Sequence, residues 1–482
     1  MAKSKRPTSS NKRQIANGKR PSGNGKRRTS SNIKESKSTP KSMAASNISS
    51  CENCGGCKYL GMPYEDTLKK KQEYVESLLR KAVSAATSSK ASGASRDFEI
   101  LPIIGADNPY HYRSKVHAAF ASDRRSGKVI SGMYEENTHK IVSSDGCLVE
   151  NQKATAIVQT ITRLVSKYHI PVFNEDTCTG IFRRVLIRLS EVTGEVMVVL
   201  VLGTPSMPRR SDFMEDLLKE HPEITTILFN QNRRHDSMIL GDKFIVKYGK
   251  GYILDEICGV KFKVSPDVFV QINHAQTEKL YSEAIGMLEE AITYDEKLAN
   301  KKQISLLDTY CGIGTIGLVA TSKCKRFELT GVELNKSSVR DAIGNAKHNG
   351  ITNAHFIACD ATEYMSNIAQ KGKSSKNFDV VILDPPRSGT TPEFVDACKK
   401  LAPRHIVYIS CNPETLARDL VLFEKGGFKL EKARAVDMFP WTMHVETVCL
   451  LSNRKPDSYV HLNLKMEDYY RIKDAEKEQG KK

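Results

Sequence analysis

The chain has 482 residues, 39% hydrophobic and 27% charged, enough for two or three packed domains with a substantial core. Its longest apolar run, Val196 to Leu202, is strand-sized and far short of the roughly 18 residues that span a bilayer, and no apolar signal segment follows Met1, which argues against export. The net charge of +17 is uneven, because residues 1–50 hold 13 Lys and Arg against one acid, Glu35.

In chain order, residues 1–50 come first. They are rich in Ser, Asn and Gly and nearly free of aliphatic side chains, so they read as a disordered basic tail that attracts polyanions. Cys51-x-x-Cys54-x-x-Cys57 follows. Three thiolates at this spacing suit a soft metal or an iron–sulfur cluster, and spacing alone leaves zinc open. A fourth ligand is needed, and Cys147 in Ser144-Asp-Gly-Cys147 is the candidate. The chain has twelve cysteines and no export signal, which points to a reducing compartment where thiols are buried, metal-bound or catalytic. Helical spacing of Tyr74, Leu78 and Leu79 predicts a helix from about Tyr64 to Ala86, then a Ser/Ala/Gly loop over 84–95.

From 98 to 265 the pattern is β-rich. Short runs at 115–121, 129–133 and 140–142 read as strands, and 183–189 and 195–202 flank a turn at 191–194 as a hairpin. Tyr110, Arg113 and Lys115, like Phe182, Arg183 and Arg184, mix aromatic and basic residues as in surfaces that stack bases and pair phosphates. From 266 to 455, strands at 304–309, 328–333, 354–358, 378–383 and 405–410 alternate with helix-length segments. That alternation predicts a Rossmann-like α/β domain with a mostly parallel sheet. The expected division is a tail (1–50), a cysteine segment with a helix (51–97), a β-rich central domain (98–265), the α/β domain (266–455) and a charged C-terminal tail (456–482).

Chemistry-bearing residues gather at the strand ends. Asp308-Thr-Tyr310-Cys-Gly312-Ile-Gly314-Thr315 is a strand entering a glycine turn and a helix, and Gly331-Val-Glu333 ends the next strand with an acid suited to ribose hydroxyls. The turn has neither the dinucleotide spacing of glycines nor a phosphate-binding lysine, so a nucleoside without phosphates, such as S-adenosylmethionine, fits better. Asp360 and Asp384-Pro-Pro-Arg387 follow the third and fourth strands, and Ser410-Cys411-Asn-Pro ends the fifth. A cysteine at such a tip can add to carbon 6 of a uracil and so activate carbon 5 toward an electrophilic methyl group. A base must then take the carbon 5 proton, and Glu446 is the candidate.

The segments Asp384-Pro-Pro-Arg-Ser-Gly, Ser-Cys-Asn-Pro-Glu-Thr-Leu-Ala-Arg-Asp at 410–419, Asp437-Met-Phe-Pro and His444-Val-Glu446 together resemble the RNA uracil-5-methyltransferase family. Ser265-Pro-Asp-Val-Phe-Val-Gln271-Ile-Asn273 resembles that family's entry into its catalytic domain, and the likeness runs from about 51 to 452. The resemblance implies Cys411 as nucleophile and Glu446 as proton acceptor. It matches Gln271, Tyr310, Thr315, Glu333, Asp360 and Asp384 to cofactor-contact positions, with Asp384 also able to touch the uracil. It further implies a [4Fe–4S] cluster on Cys51, Cys54, Cys57 and Cys147, as in the members that act on ribosomal RNA. The expected function is cytoplasmic methylation of uridine in 23S-type ribosomal RNA, with no membrane role and no obligate protein partner. The alternatives are the same chemistry on transfer RNA and a non-catalytic RNA-binding or assembly role. One departure is Trp441, the only Trp, where relatives often carry His and where a change in base stacking is expected.

Overall fold

The computed structural model describes residues 54–87, 98–123, 125–135, 138–234, 238–371 and 377–453. The basic segment 1–50, Cys51, the end of the expected loop over 88–95 and the charged segment 456–482 lie outside the described residues. The strands are β1 (Glu99–Ile104), β2 (Lys115–Ser122), β3 (Val129–Tyr134), β4 (Ile141–Ser143), β5 (Phe182–Leu189), β6 (Val196–Leu202), β7 (Ile224–Gln231), β8 (Lys243–Tyr248), β9 (Ile253–Ile257), β10 (Val260–Val264), β11 (Ile304–Thr309), β12 (Phe327–Glu333), β13 (Ala354–Ala358), β14 (Val380–Leu383), β15 (His405–Ser410), β16 (Lys429–Val436) and β17 (Glu446–Ser452).

They form an eight-stranded sheet in the order β1-β16-β17-β15-β14-β11-β12-β13, a seven-stranded sheet β4-β3-β2-β5-β6-β7-β8, and the hairpin β9–β10. In the large sheet β11 to β15 all pair in parallel, with helices as crossovers, while β17 inserts antiparallel between β15 and β16. Strand order runs outward from β11 in both directions, so a switch point opens between β11 and β14 at the carboxyl ends of the strands. That is where ligands bind in open α/β sheets.

Three features depart from the expected elements. β1, expected with the β-rich region, pairs in parallel with β16 at the edge of the large sheet. The helix Tyr64–Thr87 ends one residue past the expected Ala86 and takes in the start of the loop expected from 84, because Ala82, Val83 and Ala86 continue its buried stripe. Val75, Leu79, Ala82 and Val83 share a core with Leu416 and Leu420 of the helix Pro413–Lys425, so this early helix packs on the eight-stranded sheet. The β-rich region also carries the helix Gln152–Lys167, whose Ile157, Ile161 and Leu164 pack on β2 and β5. Seven strands alone would leave that sheet face wet.

Candidate active site

The glycine turn after β11 is shaped for a ligand. Gly314 caps the helix Thr315–Lys323 at φ 81°, a left-handed conformation that glycine adopts without strain. Gly331 in β12 leaves room for Phe356, whose ring would sit 2.4 Å from a Cβ placed there. A cavity of about 340 Å³ opens beside the turn, lined by Tyr310, Glu333, Asp360 and Asp384 among others. Glu333 is held by the N–H groups of Gly312 (3.1 Å) and Asn335 (2.8 Å), and Asp360 caps the next helix through the N–H of Glu363 (3.0 Å). Each carboxylate keeps lone pairs free for hydroxyl or amino groups. Thr315 sits at the helix start, its Oγ1 2.9 Å from the Tyr281 hydroxyl. Gln271 lies elsewhere, in a narrow crevice with Lys115 and Arg188.

Cys411 follows the last residue of β15, and Glu446 opens β17. Ser410 pairs with Thr447 in the antiparallel ladder, so the next step along each strand sets Cys411 opposite Glu446. Asn412 caps the helix Pro413–Lys425, and its Nδ2 donates to the carbonyl of Arg387 (3.3 Å); the Thr415 hydroxyl donates to the same carbonyl (3.1 Å). These bonds tie the Asp384-to-Arg387 loop to the cysteine turn. Arg387 Nη2 lies 3.0 Å from His444 Nδ1, completing a pocket of Cys411, Glu446, Asp384, Arg387 and His444.

The charges in this pocket are unusual. Glu446 is 1% exposed and its Oε2 has no hydrogen-bond partner. Burial, then the nearby Asp384, pushes its carboxyl up to about 8, with Arg387 opposing. Burial lifts Asp384 to about 7. Burial, then Glu446 and Asp384, pushes the Cys411 thiol up to about 11, again against Arg387. Deeper in the sheet, Asp308 accepts from Gly317 N–H (3.1 Å) and leaves Oδ1 without a partner; burial and then Asp384 hold it well above the carboxylate range. Perturbed groups concentrated in one crevice mark functional sites.

Residues 251–454 match the family described as tRNA (Uracil-5-)-methyltransferase. An uncharacterized RNA methyltransferase of Bacillus cereus is 33% identical over 399 residues, covering 83% of this chain and 81% of its own. One from Halalkalibacterium halodurans is 34% identical over 400 residues with the same coverage of both chains. The chain belongs to the RNA uracil-5-methyltransferase family. The crystal structure of a Pyrococcus abyssi tRNA (uracil-54, C5)-methyltransferase with S-adenosyl-L-homocysteine shares the fold at TM-score 0.64 and 24% identity, covering 82% of this chain and 85% of that one. This methyltransferase therefore uses S-adenosylmethionine on RNA.

Cys54, Cys57 and Cys147 line one cavity of about 140 Å³ with Arg113, Glu150 and Tyr134. Cys51 is outside the described residues, and among those described no group of three or more His, Cys, Asp or Glu is arranged to hold a metal ion. Trp441 joins this cavity to the catalytic loop. Its ring packs 5.4 Å from Tyr64 and 5.3 Å from Tyr110, its indole N–H donates to Pro109 O (2.9 Å), and its own carbonyl accepts from Tyr59 N–H (2.9 Å). At 4% exposure its ring is committed to this packing and offers no open face to a substrate base. Phe182 and Arg183 are also core residues; Arg183 is 1% exposed and bound to Glu175 at 2.6 Å.

Sequence reasoning missed the supports of the catalytic loop. Lys71 Nζ donates to Asp437 Oδ1 (2.6 Å) and Phe439 O (3.1 Å), and the Tyr64 hydroxyl donates to Asp437 Oδ2 (2.7 Å). Asn273 donates to Met438 O (3.0 Å) and Gln276 to Asp437 O (3.0 Å). No local signal marks these partners, which lie more than 160 residues away in the chain. The buried Lys71 on an amphipathic helix was the one available hint.

Proposed function

We propose that this enzyme methylates carbon 5 of a uridine in large-subunit, 23S-type ribosomal RNA through a covalent bond between Cys411 and the uracil. The observation that carries the reading is the opposition of Cys411 and Glu446 across β15 and β17, beside Asp384 and Arg387. The target base must leave its stack to reach this pocket.

The Cys411 thiolate adds to carbon 6, forming an S–C bond and driving the double-bond electrons onto the 4-oxygen as an enolate. Bound S-adenosylmethionine supplies the electrophilic methyl group that carbon 5 then takes. Tyr310, Thr315, Glu333, Asp360 and Asp384 hold that donor in this reading, and Gln271 is assigned to it by the family resemblance alone. Glu446 then accepts the carbon 5 proton; the double bond re-forms, and the S–C bond breaks to release Cys411. A carboxyl pushed up to about 8 is a strong base once ionised, well matched to a weakly acidic carbon. Arg387 favours the thiolate against its two acidic neighbours.

Ribosomal RNA is supported by the resemblance of the cysteine segment to the iron–sulfur members. In that reading Cys51, Cys54, Cys57 and Cys147 hold a [4Fe–4S] cluster with a structural role, and no catalytic step passes through it. Transfer RNA is the second reading, favoured by the family description matched over 251–454.

The test is to mix the full-length protein with tritiated S-adenosylmethionine and 5-fluorouridine-substituted ribosomal or transfer RNA. Fluorine cannot leave as a proton, so the adduct is trapped. A labelled protein–RNA band with ribosomal RNA, lost in Cys411→Ala, is the expected result. A band only with transfer RNA moves the substrate and keeps the mechanism, while no band with either overturns the role of Cys411.

A further inference from the structure

The seven-stranded sheet carries an unexplained row of positive charge. Lys115 of β2 pairs directly with Arg188 of β5, and Ala119 pairs with Arg184 in the same ladder. Paired residues share a face and alternate residues repeat it, so Lys115, His117, Arg184 and Arg188 lie together. Arg113 continues the alternation toward the cysteine cavity. The opposite face, with Val116, Ala118, Phe120, Val185 and Ile187, is filled by the core beneath the helix Gln152–Lys167.

Two cations directly opposite each other weaken a sheet, and little here neutralises them. Lys115 has no hydrogen-bond or ion-pair partner among the described residues. Arg188 is 4% exposed and donates only Nη2, to Val268 O (2.7 Å), leaving Nε and Nη1 without partners. Asp255 and Asp267 are near enough to be felt by Arg188, yet the Asp255 carboxylate is taken by the Ser190 hydroxyl (2.6 Å). Arg184 reaches Glu175 only at 3.4 Å, behind the closer pair that Glu175 makes with Arg183 at 2.6 Å. Burial, then Arg188, lowers Lys115 to about 8, and burial, then Lys115, Arg184 and Arg113, lowers His117 to about 4. Among the described residues, Asp255, Asp267 and Glu175 offset this clustered positive charge only in part, and Nε of Arg113, Arg184 and Arg188 is left without a partner.

The row also leads to the chemistry. Arg113 is close enough to His444 to be felt by it, after burial and with Arg387 and Lys71, and His444 touches Arg387 beside Cys411. At the other end Lys115 and Arg188 line the crevice that contains Gln271.

We infer that the row Arg113, Lys115, Arg184 and Arg188 is a binding track for the RNA backbone, receiving phosphates next to the uridine that enters the Cys411 pocket. The inference rests on the reading of RNA as substrate and adds the surface that holds it. The crevice between Lys115 and Arg188 has only about 10 Å³, room for a water and not for a phosphate. A phosphate therefore sits at its mouth on Lys115, with Arg188 acting from beneath, and Arg184, four residue pairs along the ladder, meets a further phosphate of the same strand. Each phosphate neutralised releases condensed counterions, so binding through this track falls steeply with salt.

The test uses the full-length protein, a fluorescein-labelled oligouridylate and Lys115→Met, with Lys219→Met on an exposed helix as a control of equal charge. Lys115→Met is expected to weaken binding about tenfold and to lower the slope of log affinity against log salt by about one, while Lys219→Met leaves both unchanged. Because it removes a like-charge contact, Lys115→Met is also expected to melt no earlier than the parent without RNA, so a folding defect cannot imitate the result. Arg184→Met, four residue pairs along the ladder on the same face, is expected to repeat the loss. Unchanged affinity and slope in both variants would overturn the track, even if the fluorouridine adduct forms. Loss of the adduct with the salt slope intact would instead tell against the proposed chemistry alone.

Discussion

Asp437 and Glu446 are buried carboxylates at the two ends of one loop, and their surroundings differ in kind. Both oxygens of Asp437 are taken, one by Lys71 at 2.6 Å and one by the Tyr64 hydroxyl at 2.7 Å. Glu446 has an oxygen with no partner and a carboxyl raised to about 8. A satisfied buried acid fastens one part of a fold to another. An unsatisfied one is costly to the fold and is left ready to take a proton. Here the first anchors the loop to the early helix, and the second faces the cysteine that the loop serves.

Exchanging the acids for amides breaks this comparison most sharply. Glu446→Gln is expected to lower methylation on the order of 10²–10⁴-fold while leaving the fold intact. With unmodified uridine it should let the Cys411 adduct accumulate, seen as a slow band on denaturing gels; a variant that turns over normally would remove Glu446 from the mechanism. Asp437→Asn instead leaves Lys71 buried beside a neutral group and is expected to cost about 3–5 kcal/mol of stability. Thermal melting measures it, and a shift equal to that of Glu446→Gln would erase the distinction.

The pH dependence sharpens the same contrast. Glu446 holds its proton in the folded protein up to about 8, against 4.5 for an ordinary glutamate, so between these values the folded state binds more protons than the unfolded. Its stabilising contribution is complete below about 4.5 and is lost as pH rises through about 8. The melting temperature of the parent should therefore fall more than that of Glu446→Gln between about pH 6 and about pH 9. Over the same interval the single-turnover rate should rise, because only the ionised carboxylate accepts the carbon 5 proton. A rate that falls with pH would contradict this role.

The smallest expected effect lies at Trp441, where the loop meets the cysteine cavity. Trp441→Phe keeps an aromatic ring and loses the bond to Pro109 O, for a cost of about 1–2 kcal/mol and less than about tenfold in rate. As the only Trp, it also reports on the cavity. Loading iron and sulfide anaerobically should quench its fluorescence if the cluster forms there, and unchanged emission would argue against the cluster.

The catalytic sheet was largely legible before folding. Runs at 304–309 and 405–410 match β11 and β15 residue for residue, because buried parallel strands are short apolar runs bounded by turns, and 354–358 matches the edge strand β13. Tyr310, Glu333, Asp360 and Asp384 gather around one cavity because strand-end residues of a parallel sheet share an edge. The β-rich region was less legible. Its helices Gln152–Lys167 and Arg210–Glu220 carry no signal distinct from the strands around them, and two of its six aromatic and basic candidates, Phe182 and Arg183, are core.

The sequence by itself determined the local periods, the turns and the order of reactive groups along the chain, since these depend on neighbouring residues alone. It placed Cys411 at a strand tip and Glu446 in a late strand. Only the tertiary structure decided that β17 would insert antiparallel beside β15 and so bring the two face to face. Only it decided that Lys71 would neutralise Asp437, that Trp441 would turn toward the cysteines, and that Lys115 would meet Arg188. Each of those outcomes depends on contacts between residues far apart in the chain, set by which faces bury together and which charges are left without a partner.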